Sequence, residues 1–190
     1  MKKIAFIIIG VLIFCTAAGY IVLNKINTGK EIDMGDKKVL VAYYSYSGNT
    51  KKVAEKIQNI TKGDIFEIVP KTSYSNNYDE AVALAQEEKQ KDVRPELVDN
   101  GNVKDYDIIF VGTPVWWYTM AGPVRTFLTK NDFTGKTIVP FCTHGGGGAS
   151  STYVDMQKLA KGAKITEGYT SYENSAKDSE IIEWINKLKL

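Results

Sequence analysis

The chain has 190 residues, 24 Lys and Arg against 22 Asp and Glu, a net charge of +2, one histidine and two cysteines, with a mean hydropathy of −0.20. Its 44% hydrophobic and 24% charged content suits one globular domain with a buried core and excludes a disordered or collagen-like chain. His144, Cys15 and Cys142 are too few and too scattered for a zinc site or a disulfide framework, and no basic stripe of the kind that grips nucleic acid is present.

From the amino terminus, Ile4 to Leu23 carries no charge, and a helix of that length, at about 1.5 Å per residue, matches the ~30 Å hydrocarbon core of a bilayer. Lys2 and Lys3 ahead of it favour a cytoplasmic amino terminus, with the remainder on the other side of the cell membrane. Residues 1–24 therefore read as a transmembrane signal anchor. The small residues Thr16-Ala17-Ala18-Gly19 leave open a cleaved signal peptide and secretion, and Cys15 a lipid-modified one, although Phe14 stands where that signal has a small residue. Residues 25–37, rich in Lys, Asn, Asp and Gly, read as a linker, and 38–190 as the domain. Without Lys2, Lys3, Lys25 and Lys30, 20 basic side chains face 22 acidic ones, so the slight excess of positive charge belongs to the membrane flank.

Within the domain, Val39 to Ser45 is an apolar run rich in β-formers, and Thr50 to Ile60 repeats apolar residues at Val53, Ala54, Ile57 and Ile60, the spacing of an amphipathic helix. A strand over Asp64 to Val69 and a helix over Tyr78 to Lys91, with Ala81, Val82 and Ala85 on one stripe, follow. Asp107 to Thr113 is a strongly apolar third strand, and Pro123 opens a helix to Thr129, where its missing N–H is not needed. Lys136 to Thr143 predicts a fourth strand, Ser150 to Lys161 a helix, Lys164 to Thr170 a fifth strand, and Asp178 to Lys189 a last helix with Ile181, Ile182, Ile185 and Leu188 inward. Alternating strands and helices with apolar strands predict an α/β fold, a parallel sheet with helices on both faces. Ligands of such sheets sit outside the carboxyl ends of the strands.

Three loops lie at those ends. Ser45-Tyr46-Ser47-Gly48-Asn49-Thr50 places short polar donors and a glycine at a helix start, where free N–H groups attract an anion such as a phosphate. The same residue types also serve as ordinary helix caps. Pro114-Val115-Trp116-Trp117-Tyr118 sets adjacent aromatic rings at the third strand's end, a flat polarisable surface for a planar ring. In an extended segment Trp116 and Trp117 cannot both point inward. Thr143-His144-Gly145-Gly146, continuing to Gly148, allows the backbone to approach such a ring closely and offer it N–H groups.

The Ser45-x-Ser47-Gly48-Asn49-Thr50 pattern after the first strand resembles the FMN-phosphate loop of flavodoxins. The resemblance extends over roughly residues 38 to 190, through Tyr74, Tyr78, Arg94-Pro95-Glu96-Leu97, Gly112 to Trp117 and the glycine-rich loop. It implies a five-stranded sheet of order 2-1-3-4-5, FMN as a non-covalent cofactor, and electron transfer to a redox partner protein or a small-molecule acceptor. Ser45, Ser47, Gly48, Asn49 and Thr50 would then hold the phosphate, with Tyr46, Pro114, Val115, Trp116, Trp117, Tyr118, Thr143, His144, Gly145 and Gly146 around the ring. Two features depart from the family. The glycine-rich loop lacks the aromatic that often covers the outer ring face, leaving His144, Tyr46, Tyr74 and Tyr78 as candidates, and Trp117-Tyr118-Thr119-Met120 has no glycine where several flavodoxins have one.

Rival readings fail on missing parts. His144-Gly-Gly-Gly is similar to an esterase oxyanion loop, but Gly-x-Ser-x-Gly is absent and one histidine cannot fill two roles. Neither a Walker A nor a Gly-x-Gly-x-x-Gly motif occurs, and Ser45 stands where a receiver domain would need an acidic Mg²⁺ cluster. Cys142, inside an apolar strand, reads as a buried structural thiol. The expectation is an exported or membrane-tethered FMN electron carrier with no metal and no acid or base side chain. A flavin-dependent NAD(P)H or quinone oxidoreductase is the alternative, and a tethered binding module without flavin the third.

Overall fold

A computed structural model describes residues 31–190, so the expectations for residues 1–30 lie outside the described residues. Among the described residues no helix is long and apolar enough to cross a membrane.

The strand β1 (Val39–Tyr43) is buried at all five positions because it lies between two others. It pairs in parallel with β2 (Asp64–Glu67) on one side and β3 (Ile108–Trp116) on the other. Beyond β3 comes β5 (Thr137–His144), also parallel, and then an edge shared by β6 (Lys164–Ile165) and β7 (Tyr169–Tyr172). The order is thus the expected 2-1-3-4-5, with β5 in fourth place. Successive residues on a strand face opposite ways, and the core divides accordingly. Leu40, Ala42, Ile109, Val111 and Ile138 pack with α2 (Tyr78–Gln90), α3 (Gly122–Lys130) and α4 (Thr152–Leu159). Val39, Val41, Phe110 and Val139 pack with α1 (Asn49–Thr61) and α5 (Asp178–Leu188).

Five differences from the sequence reading have physical causes. The fifth strand is split: the Glu167 carbonyl turns to accept from Trp184 Nε1 at 3.2 Å, and Gly168 lies under Tyr153, where a Cβ would meet the ring at 2.5 Å. The third strand runs on to Trp116 and returns as a short antiparallel strand, β4 (Thr119–Met120). On α5 the buried residues are Ile181, Trp184 and Ile185, while Ile182 and Leu188 sit at the rim. On α2 the inward stripe is Ala81, Ala85 and Glu88. The folded unit also starts before residue 38: Ile32 N donates to Ile60 O at 2.8 Å, and Ile32 and Met34 pack on the α1 side of the core.

Candidate functional site

The loops after β1, β3 and β5 meet at the carboxyl edge of the sheet. The first turns into α1 through Gly48, whose φ of 85° is a left-handed conformation that suits glycine. No side chain caps α1, and its first turn has no acidic residue. Its N-terminal partial positive charge is therefore left for an external anion. Ser45 Oγ, beside this helix start in sequence, is buried without a hydrogen-bond partner among the described residues, a costly state that a bound acceptor would relieve. Thr50 Oγ1 instead turns inward, sharing a 2.8 Å hydrogen bond with Thr143 Oγ1 and tying the first loop to the end of β5.

The second loop is a two-residue hairpin. Trp116 pairs with Thr119, and between them Trp117 and Tyr118 have φ of 49° and 67°. The tryptophans are therefore not successive residues of an extended segment. Trp117 is folded back onto α2, where its Nε1 donates to Val82 O at 3.0 Å. Trp116 becomes an aromatic hub, with Tyr44, Tyr46 and Tyr74 edge-on at 5.6, 5.7 and 4.9 Å. Tyr46 is anchored in turn, its hydroxyl donating to Ser75 O at 2.7 Å.

In the third loop Gly146 N donates to His144 Nδ1 at 2.9 Å, which makes Nε2 the protonated nitrogen of the neutral ring. The His144 ring also sits edge-on to Tyr172 at 5.8 Å.

Together these loops enclose a cavity of about 340 Å³. Of the residues expected around the ring, Tyr46, Val115, Trp116, Trp117, Tyr118, His144 and Gly145 line it. Tyr78, one of the candidates for ring cover, lines it too. Tyr74, another, is buried and stands behind Trp116 rather than on the wall. Of the other expected ring contacts, Thr143 is buried and spent on Thr50, Pro114 accepts from Thr113 Oγ1 through its carbonyl, and Gly146 is turned to His144. These three form the support of the wall. Ser45, Ser47, Gly48, Asn49 and Thr50 make the helix start beside the cavity. Sequence reasoning missed the wall that α2 supplies, Ala81, Val82 and Ala85, and the two residues that extend the glycine loop, Gly147 and Ser150. The α2 stripe is visible in sequence, but its periodicity is the same whether it faces core or cavity.

Among the described residues no Lys, Arg, Asp or Glu side chain lines the cavity. Among the described residues no cluster of His, Cys, Asp and Glu could hold a metal ion. Cys142, below the third loop, is buried; burial pushes its thiol up, away from the reactive thiolate. The arrangement offers an anion-accepting helix start beside an uncharged aromatic cleft whose lining includes Gly145 and Gly147.

A family model described as flavodoxin matches residues 38–188. A protein of Bacteroides eggerthii DSM 20697, described as a candidate flavoprotein, is 28% identical, with a TM-score of 0.74 over 82% of this chain and 99% of its own. A second from Bacteroides uniformis ATCC 8492 is 28% identical, with a TM-score of 0.71 over 80% and 99%. A flavoprotein of Lactobacillus acidophilus NCFM, solved in complex with FMN, is 30% identical, with a TM-score of 0.61 over 78% and 99%.

Proposed function

The chain belongs to the flavodoxin family, and we propose that it is an FMN-dependent electron carrier, tethered by residues 1–24 so that its domain lies outside the cytoplasmic membrane. Its cofactor is FMN, on family membership and on the FMN complex of the Lactobacillus acidophilus relative. The observation that carries the reading is the juxtaposition at one sheet edge of an uncapped helix start, an unpartnered buried Ser45 hydroxyl and an aromatic cleft.

The residues present fit both halves of the cofactor. Ser45 Oγ and the free N–H groups that begin α1 hold the phosphate dianion, with Gly48 keeping the backbone close. Trp116, braced by Tyr44, Tyr46 and Tyr74, supplies a fixed wall for the ring, and the Gly145–Gly147 backbone faces its polar edge. Bound FMN supplies reversible uptake and release of electrons; the protein supplies position, exclusion of water and an uncharged surround. No side chain has to move a proton. The uncharged wall also favours a carrier over an NAD(P)H reductase, because nothing in it anchors a dinucleotide pyrophosphate. A small uncharged acceptor such as a quinone is the second reading, favoured by the exposed rings of Tyr78 and Tyr118 at the rim. The described chain enters the sheet at the amino end of β1, opposite the cleft, so a tether there turns the cleft away from the bilayer.

Full-length protein purified from membranes is expected to show the visible flavin absorption band and to bind FMN one to one. Trp116→Ala should weaken FMN by at least about tenfold, the loss of one well-packed aromatic contact. Absence of flavin in the native protein, together with no uptake on titration, would overturn the proposal. Rapid reduction by NAD(P)H under anaerobic conditions without a partner protein would replace the carrier reading with the reductase.

A further inference from the structure

Helix α2 carries a carboxylate that the cofactor reading does not use. Glu88 is 8% exposed and shares its inward stripe with Ala81 and Ala85. A carboxylate in such a place is costly unless it is compensated. Tyr74, from the loop before α2, donates its hydroxyl to Glu88 Oε2 at 2.6 Å. Burial pushes the Glu88 carboxyl and the Tyr74 phenol above their ordinary values. From α3 the Arg125 guanidinium acts on Glu88 while also bonding Asp92, and from the end of β1 the Tyr44 phenol feels the Glu88 charge.

Space for this contact is cut into α3. A Cβ on Gly122 would fall 2.5 Å from Glu88 Oε2 and 3.1 Å from the Tyr74 hydroxyl. The opposite edge of the Tyr74 contact leads to the cleft: its ring stands edge-on to Trp116 at 4.9 Å and 82°. Tyr74 and Glu88 lie off the cavity wall, whereas Trp116 lines it. An apolar residue at position 88 would suit the stripe but leave the Tyr74 hydroxyl without its acceptor.

We propose that Glu88 is a positioning residue of the flavin site: it fixes Tyr74, and Tyr74 fixes the plane of Trp116. The inference rests on the FMN reading above. The carboxylate touches neither cofactor nor reacting atoms, and its effect passes through two rings.

The test compares the full-length wild type with Glu88→Gln, Glu88→Leu and Tyr74→Phe, and uses Ile57→Val, on the opposite face of the sheet, as a control for plain destabilisation. FMN is titrated with flavin fluorescence as readout, and near-ultraviolet circular dichroism is recorded on the FMN-free proteins. Glu88→Gln retains an acceptor and should bind FMN within about twofold of wild type, whereas Glu88→Leu and Tyr74→Phe should bind about tenfold more weakly. Both weak variants should show altered tryptophan bands in the dichroism and less quenching of bound flavin. Ile57→Val should lower the melting temperature and change neither readout. The proposal is overturned if Tyr74→Phe matches wild type in FMN affinity or in the tryptophan bands of the dichroism, to which the lost tyrosine does not contribute, or if Ile57→Val loses affinity in step with its stability. Tyr74→Phe decides the matter where Glu88→Leu fails to fold. If wild type takes up no FMN, the cofactor reading fails by itself, and the dichroism of the FMN-free variants still decides whether Glu88 orients Trp116.

Discussion

Trp117 and Tyr118 occupy a backbone region that costs a residue with a Cβ about 1–2 kcal/mol, and both positive-φ positions of this tight hairpin are of the kind that Asn and Gly ordinarily fill. The turn persists because its neighbours over-determine it. Lys89 Nζ donates to Trp117 O at 2.6 Å, and Ser151 gives Tyr118 O both its N–H, at 3.0 Å, and its hydroxyl, at 2.7 Å. The Lys89 ammonium also lies 5.8 Å from the Tyr118 ring centre, a contact worth about 0.5–1 kcal/mol at an exposed site. Strain held in this way at a cleft points to a requirement of the site rather than of the fold. Tyr118→Gly should therefore leave stability within about 1 kcal/mol of wild type, since relief of the φ penalty offsets the lost ring contact and the freer unfolded chain. Its FMN affinity should fall several-fold, because a rim of the cleft is gone. Urea denaturation of the FMN-free protein beside an FMN titration checks both. A large stability loss with unchanged affinity would assign Tyr118 to packing instead.

The strand β3 shows how far an element constrains the site it ends in. Gly112 faces Phe141 on the paired strand β5, and a Cβ there would lie 2.1 Å from the nearest ring atom. Phe141 is fully buried and cannot back away. Gly112→Ala should thus destabilise by about 3 kcal/mol, at the upper end of overpacking costs. Gly48→Ala has nothing within 4 Å of the added atom and should lose only about 1 kcal/mol to its positive φ; similar urea midpoints for the two variants would contradict this contrast. The central strands β1, β3 and β5 were legible in the sequence because strands covered on both faces are apolar almost without interruption. The continuation of β3 through Pro114 to Trp116 was not, since a Pro and two Trp read as loop, and Trp117-Tyr118 carries none of the turn residues that announce a hairpin. At the site, loop residues such as Tyr46, Trp116 and His144 were legible because strand ends in this architecture face ligands. The α2 wall and Glu88 were not. A helical stripe does not reveal what covers it, and a buried Glu in a run of Gln and Glu looks like part of the solvated face until Tyr74 is brought to it from fourteen residues away.

Across the whole molecule, the aromatic layer that braces the cleft also couples its stability to pH. Tyr44 and Tyr74 belong to the core on the α2, α3 and α4 side, and Tyr153 packs against it. Burial raises all three phenols well above the ordinary tyrosine value. The Tyr153 hydroxyl is further engaged with Cys142 Sγ at 3.2 Å. Below about pH 10 these groups are protonated in both folded and unfolded chains and contribute no pH dependence. Above it the unfolded chain releases protons that the folded one retains, so the unfolded state binds fewer protons and stability falls as pH rises. Each phenol contributes a slope of about 1.4 kcal/mol per pH unit, and with Tyr43 and Tyr169, which burial raises likewise, the five together contribute about 7. Against a total stability of about 5–15 kcal/mol, the domain should unfold cooperatively within roughly one to two pH units above 10. Tyr74→Phe should lessen that slope by about a fifth. The check is a series of urea midpoints against pH, followed by circular dichroism and phenolate absorbance. Phenolate from these rings should emerge with unfolding and with release of FMN, because two of the rings that titrate, Tyr44 and Tyr74, hold Trp116 in place. Native dichroism persisting while all the tyrosines titrate near pH 10 would show that the layer beneath the cleft is open to water.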